Sequence, residues 1–242
     1  MLVSHDNLIL STLPADDFDQ LRRHLRNIVL PSQLVLFTAG DAVTRAYFPQ
    51  KGAISLVVAL SGGQTIETAM VGRNGIVGGF AALEPQPASY TALVQIEGTA
   101  ASIDIEILRQ LASSHEAIRT LLLRHEWTLL AQTQQIAACN ALHSLEARLS
   151  RWLLAARDAC GGSPLAATQE SIAELLGVRR TSICLVAHTM QQAGLIRTRR
   201  GHIDILDEGG LRQTACECYA HTAAHQARLV SSTRQPVQSA IA

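Results

Sequence analysis

The sequence predicts an α+β chain built in three stages: a β-roll, one long helix, and a winged helix-turn-helix. Three observations predict it. Short β-prone runs separated by glycine turns fill the stretch from Ile28 to about Ile105. Helical periodicity with neither Gly nor Pro then runs from Ser113 until Gly161. Finally, the run from Thr168 to Val186 has the side-chain sizes that two helices crossing at a tight turn demand.

The chain has 242 residues and a hydrophobic fraction of 48%, enough for two modest cores. Twenty basic and 20 acidic side chains give a formal net charge of +0, so any nucleic-acid surface must be a local one. Lys51 is the only lysine among the cations. Five cysteines (Cys139, Cys160, Cys184, Cys216, Cys218) argue against a disulfide framework and for a reducing compartment. The residues Met1 to Asp6 have no basic n-region, and no apolar run approaches the ~18 residues of a membrane span. The expectation is a cytoplasmic protein with no membrane partner.

Pro14, with Asp16, Asp17 and Asp19 behind it and Arg22, Arg23 and Arg26 at the far end, marks a short dipole-matched helix. The predicted strands are Leu34–Phe37, Ile54–Leu60, Thr65–Val71, Tyr90–Ile96 and Ala100–Ile105. Turns are expected at Ala39-Gly40-Asp41, Lys51-Gly52, Ser61-Gly62-Gly63, Gly72-Arg73-Asn74-Gly75 and Glu97-Gly98.

Ser113-Ser114 supplies an N-cap for the long helix. Within it Ile118, Leu122, His125, Leu129, Gln132, Ile136 and Cys139 recur at steps of four and three. Two readings fit this stripe: a seam between two subunits, or a helix packed on its own domain. The first is favoured, with His125 and Gln132 as polar register-setting members. A break at Asn140 separates a second helix through Leu145, Leu149, Trp152 and Leu153, which Gly161-Gly162-Ser163-Pro164 ends. The expected division is residues 1–112 for the β-roll, 113–139 for the dimerisation helix, 140–212 for the winged helix-turn-helix, and 213–242 for a C-terminal helix and tail. The tail from Ser231 to Ala242 is expected to lack order.

In the helix-turn-helix, Thr168 caps the first helix, Ala173 allows close crossing, Gly177 takes the turn, and Val178, Ile183 and Val186 face inward. Arg197-Thr198-Arg199-Arg200-Gly201-His202 then leads into the alternation Ile203-Asp204-Ile205, a basic hairpin. The second helix of such a unit enters the major groove of duplex DNA. The residues expected there are Arg179, Arg180, Thr181, Ser182 and Leu185, supported by Thr168 and Gln169. Arg180 suits bidentate pairing with guanine, and Arg199, Arg200 and His202 suit phosphate.

This order of parts resembles the bacterial Crp/Fnr superfamily, relatives of the cyclic-AMP receptor protein, over roughly Leu13 to Leu211. The pieces carrying the resemblance are Ala39-Gly40-Asp41, Val71-Gly72-Arg73-Asn74-Gly75-Ile76-Val77-Gly78, the seam helix, and the helix-turn-helix through Gly194-Leu195-Ile196. The resemblance implies a cyclic-nucleotide-binding-like β-roll, a homodimer on a two-fold DNA site, and contact with RNA polymerase. Relatives that bind cyclic AMP hold the ribose with a Gly-Glu pair and the phosphate with Arg-Ser or Arg-Thr. Here those places read Gly78-Gly79 and Tyr90-Thr91, without the carboxylate or the Arg. An uncompensated phosphate is costly to bury, so no cyclic-AMP binding is expected at this pocket. The oxygen sensors' iron–sulfur cluster uses N-terminal cysteines, and none precedes Cys139. Haem ligation would have to use His5, His24 or His115. Thr181 and Leu185 replace the Glu and later Arg common on the family's recognition helix, so a different operator is expected.

Cys216-Glu217-Cys218 with His221 and His225 gathers donor atoms, yet residues two apart on a helix diverge. The expectation is packing cysteines, with neither metal nor cofactor. Cys184 reads either as an oxidant sensor or as a small buried side chain. No Gly-x-Ser-x-Gly, phosphate loop, His-Glu-x-x-His or paired CxxC occurs, and no residue is named for catalysis. A regulatory module working through protein contacts is the alternative to a DNA-binding regulator.

Overall fold

A computed structural model describes residues 6–231; the expected tail lies almost wholly outside them, as does His5. The chain begins with a 3-10 turn (Leu10–Thr12), helix α1 (Ala15–Arg22), and strands β1 (Arg26–Leu30), β2 (Val35–Phe37), β3 (Arg45–Ala59) and β4 (Thr65–Val71). Helix α2 (Phe80–Leu83) and strand β5 (Thr91–Asp104) complete the roll, and α3 (Ile105–Ser114) leads to the long α4 (Glu116–Leu142). There follow α5 (Leu145–Cys160), α6 (Gln169–Leu175), α7 (Arg180–Gln192), β6 (Ile196–Arg199), β7 (His202–Ile205), α8 (Glu208–Thr214) and α9 (Cys218–Ser231).

The first five strands form one antiparallel sheet in the order β1-β5-β3-β4, with β2 also on β5. The Thr65–Val71 strand lies where the sequence put it. Strand β1 lacks a clear sequence signal, because its alternation is short and mostly exposed. The turns expected at Lys51-Gly52 and Glu97-Gly98 are interruptions within continuous strands β3 and β5. The register shifts there, and Gly52 (φ +79°) and Gly98 press against backbone of the facing strand where no Cβ fits. A glycine inside a strand marks a bulge as readily as a turn.

Two cores result. The inside of the roll packs with α3 and the inner face of α4 around Phe48, Ile54, Ile76, Ile103, Leu108, Ile118 and Leu122. The outer face of the same sheet, through Ala53, Val57, Met70 and Ile96, packs on Trp152 and Leu153 of α5 and the helices behind them. The C-terminal domain is therefore seated on the roll. At that junction Gly72 lies against Ala159, and its amide neighbour Arg73 donates to the Ala159 carbonyl (3.3 Å).

The long helix corrects the sequence reading. Ile118 (0% exposed), Leu122 (1%), His125 (2%), Leu129 (9%), Gln132 (6%) and Ile136 (3%) are all buried in the protein's own interior. The stripe read as a subunit seam is covered within one chain: Ile118, Leu122 and Leu129 pack in the core of the roll, and Cys139 packs with Cys216 and Cys218. Its two polar members each find a backbone partner there: His125 Nε2 accepts from the Ile76 amide (3.1 Å), and Gln132 Nε2 donates to the Met70 carbonyl (3.4 Å). An apolar stripe with heptad spacing does not reveal what covers it.

Helix boundaries also differ from the sequence expectation. Ser113 and Ser114 close α3 by donating to the Gln110 carbonyl (2.8 and 2.9 Å). Helix α4 continues through Asn140, and the break comes at His143-Ser144, where Ser144 Oγ accepts from the Ala147 amide (3.3 Å). A hydroxyl at an N-cap outcompetes an Asn that a helix can absorb. Gly161 (φ +77°) ends α5, as read from the sequence. Among the described residues, no helix is long and apolar enough to cross a membrane.

Candidate nucleic-acid interface

Thr168 and Ser171 form a reciprocal capping box at the start of α6: Thr168 Oγ1 accepts from the Ser171 amide (3.1 Å), and Ser171 Oγ from the Thr168 amide (3.2 Å). Gly177 turns the chain at φ +65°, and the Val178 amide donates to the Ala173 carbonyl (2.9 Å). Ile172, Ala173 and Leu176 face Ile183 and Ala187 in the core, fixing α7 across α6. Helix α7 then presents Arg180, Thr181, Leu185, His188, Thr189 and Gln192 to solvent. Leu185 is 69% exposed, which an apolar side chain reaching outward from a recognition helix would be.

The wing is a two-stranded hairpin of β6 and β7, turned by Gly201 at φ +78°. Gln191 of α7 ties it down, its Oε1 accepting from the Thr198 amide (2.9 Å) and hydroxyl (2.8 Å). Arg199 pairs with Asp204 (3.1 Å) across the hairpin, while Arg200 at the tip is exposed.

The predicted contact residues divide between two grooves. Thr168, Gln169, Arg180, Arg199, Arg200 and His202 line one groove of about 330 Å³ between the helix-turn-helix and the wing. Arg180, at the first position of α7, pairs with Glu170 (3.3 Å) in open solvent. Arg179 and Ser182 instead line a second groove, of about 690 Å³, against Gly63, Gln64 and Thr65 of the β3–β4 hairpin. They face the roll, a long-range arrangement that local sequence does not encode. Thr181 and Leu185 are exposed and line neither groove. His188 and Gln191 were missed; one turn beyond Leu185, His188 was within reach of helical periodicity, whereas the Gln191–Thr198 bond needed the tertiary structure. Cys184 is half-buried and donates to Gln169 Oε1 (2.9 Å), joining the two helices.

In the roll, the four residues expected at an effector pocket each have their own close neighbours. Gly78 (φ +81°) abuts the Arg45 carbonyl and Val43, and Gly79 abuts Ile76 and Leu122. Thr91 Oγ1 accepts from the Ala39 amide (3.1 Å). Tyr90 packs its ring on Phe37 and Phe80, with centroids 5.7 and 5.9 Å away. Burial, and then the Glu126 carboxylate, push its phenol upward from its ordinary pKa. Of the four, only Tyr90 borders the open space nearby, a groove of about 310 Å³ with Val58, Thr68, Glu126, Leu130 and Thr133. It carries an acid and no cation.

The C-terminal cysteines also differ from expectation. Cys216 precedes α9 in the link from α8, so the divergence of helical neighbours does not apply. Cys216 and Cys218 converge with Cys139 and His143, all four donor atoms lying within 4.8 Å of one another. His221 and His225 are outside this cluster.

Comparison with known proteins agrees with this geometry. Residues 28–115 match the cyclic nucleotide-binding domain family, and residues 147–214 match the Crp-like helix-turn-helix domain family. The global nitrogen regulators of Synechocystis sp. and Synechococcus elongatus are each 24% identical over 187 residues, 74% of this chain and 83% and 84% of theirs. Among solved structures, the c-di-GMP responsive global regulator CLP of Xanthomonas campestris is 20% identical with a TM-score of 0.64, covering 80% of this chain and 100% of its own. FixK2 of Bradyrhizobium japonicum is 14% identical with a TM-score of 0.67, covering 79% and 98%. With a cyclic-nucleotide-type roll leading through a long helix to a Crp-like reading head, the chain belongs to the Crp/Fnr family of DNA-binding transcription regulators.

Proposed function

We propose that the chain works as a homodimer on a pseudo-palindromic DNA site, paired through the outer face of α4. One observation carries this reading: Leu123, Trp127 and Leu130 are 53%, 68% and 47% exposed. They stand four and three residues apart, and Gln134, Ala137 and Ala141 extend the same exposed stripe. Large apolar groups left in water at heptad spacing are what a partner helix covers. A two-fold pair of α4 helices would carry two α7 helices toward two half-sites about one helical turn apart.

On each half-site Arg180 and Thr181 read base edges, with Leu185 against a thymine methyl group. Arg199, Arg200 and His202 hold phosphate from the wing. Arg179 and Ser182 contribute less, because they face the sensor hairpin. The family likeness supports contact with RNA polymerase, a cytoplasmic location, and a regulatory rather than catalytic role.

The sensor takes an effector other than cyclic AMP. Tyr90 packs its ring on Phe37 and Phe80 beside the core of the roll, and Glu126 in the adjoining groove repels a phosphate. Selection of binding sites from random duplexes, followed by footprinting, tests the reading. The expected result is protection of two inverted half-sites spaced by one turn; a single unpaired half-site would overturn the dimer.

A further inference from the structure

Cys139 sits in the last turn of α4 and His143 is its C-terminal cap, four residues on and so on the same helical face. The α8–α9 link brings Cys216 and Cys218 to that face. Cys139 Sγ is 3.5 Å from Cys216 Sγ, and Cys218 Sγ is 3.5 Å from His143 Nδ1. Two sulfurs bound about 2.3 Å from one tetrahedral ion stand roughly 3.8 Å apart, so these spacings are near the edges of such a polyhedron. Three thiols and one imidazole form a Cys3His set, a common structural zinc donor set.

We propose that Cys139, His143, Cys216 and Cys218 bind one thiophilic divalent metal ion of the zinc type. The surroundings fit that ion. Glu217 Oε1 lies 3.3 Å from His143 Nε2, which leaves Nδ1 facing the sulfurs in the carboxylate–histidine arrangement typical of metal ligands. Gln135 Nε2 donates to Cys218 Sγ (3.0 Å), a bond that a thiolate strengthens. Three thiolates exceed the ion's charge by one, and the guanidinium groups of Arg148 and Arg151 act electrostatically on Cys139 from nearby.

Packing alone accounts poorly for the group. The three cysteines are buried apart from both main cores, with Ala147 as the apolar neighbour packed against them. An iron–sulfur cluster fits less well, because several iron and sulfide atoms have little room among donors all within 4.8 Å. The ion would staple the α4–α5 hinge at His143-Ser144 to the corner between α8 and α9. It would thereby stiffen the joint through which the long helix carries the DNA-reading head.

The test uses the untagged full-length chain, produced with zinc supplied and kept reduced. Elemental analysis should find about one zinc per chain. The Cys216→Ser/Cys218→Ser double variant should lose it, while Cys160→Ser and Cys184→Ser keep it. To separate metal loss from misfolding, stripped wild-type protein with native circular dichroism is titrated with Co²⁺ alone. Thiolate-to-cobalt charge-transfer bands should saturate at about one equivalent and vanish when Zn²⁺ is added. Absence of those bands in folded, reduced protein would overturn the proposal. So would zinc retained by the double variant, or iron recovered with acid-labile sulfide. No DNA enters the measurement, so failure here leaves the DNA-binding reading intact.

Discussion

The imidazole of His125, midway along α4, accepts a hydrogen bond from the backbone amide of Ile76 at 3.1 Å. Gly75 beside it has no room for a side chain, since a Cβ there would come within 2.8 Å of the same ring nitrogen. A histidine that spacing alone assigns to a subunit seam thus fastens the Gly72–Ile76 turn to the long helix. His125→Ala should cost about 1–3 kcal/mol by stranding a buried amide. Urea unfolding measures it, and the association state should not change.

The two faces of α4 predict opposite outcomes. Trp127→Glu on the outer face should leave the fold intact and shift sedimentation toward monomers. Leu122→Asp on the inner face should instead destabilise the protomer by about 2–5 kcal/mol or more. A Trp127→Glu protein that still sediments as a dimer would contradict the outer-face pairing.

Glu67 introduces a pH dependence at the junction between roll and reading head. Burial pushes its carboxyl up to about 7, partly offset by the Ser55 hydroxyl, the Arg151 guanidinium and the Trp152 indole. A folded-state pKa raised above its unfolded value means the native protein holds the proton more tightly. Stability is therefore greatest below about pH 4.5 as far as this group is concerned, falls as pH rises, and levels off above about 7. Glu67→Gln should flatten that slope and raise stability at pH 8 by up to ~3 kcal/mol. Denaturant midpoints from pH 5 to 8 check it.

Gly177 meets two constraints at once. Its φ is +65°, and a Cβ would lie 3.1 Å from Ile66 Cδ1 on the sensor hairpin. Gly177→Ala should cost about 1–2 kcal/mol from backbone strain alone. If the hairpin contact matters, Ile66→Ala should recover part of that loss in a thermal-melting double-mutant cycle.

Local signals carried most of the fold. Thr168, Gly177 and Gly201 announce a cap and two turns by chemistry that needs no tertiary partner, and each lies where it was expected. Gly52 and Gly98 misled, because a bulge and a turn draw on the same residue. The α4 stripe misled because spacing records that a face is covered, not by what. The division of Arg179 and Ser182 from Arg180, and the meeting of Cys139 with Cys216 across 77 positions, are long-range facts beyond any local pattern.

Arg180 tests the account most directly. On a duplex from the selection, fluorescence anisotropy should show Arg180→Ala binding weaker by about 1–3 kcal/mol, with tolerance gained at one base pair in each half-site. Arg200→Ala should weaken binding evenly across sequences and lower the salt slope by about one. An Arg180→Ala protein with unchanged affinity and unchanged base preference would contradict the placing of α7 in the major groove.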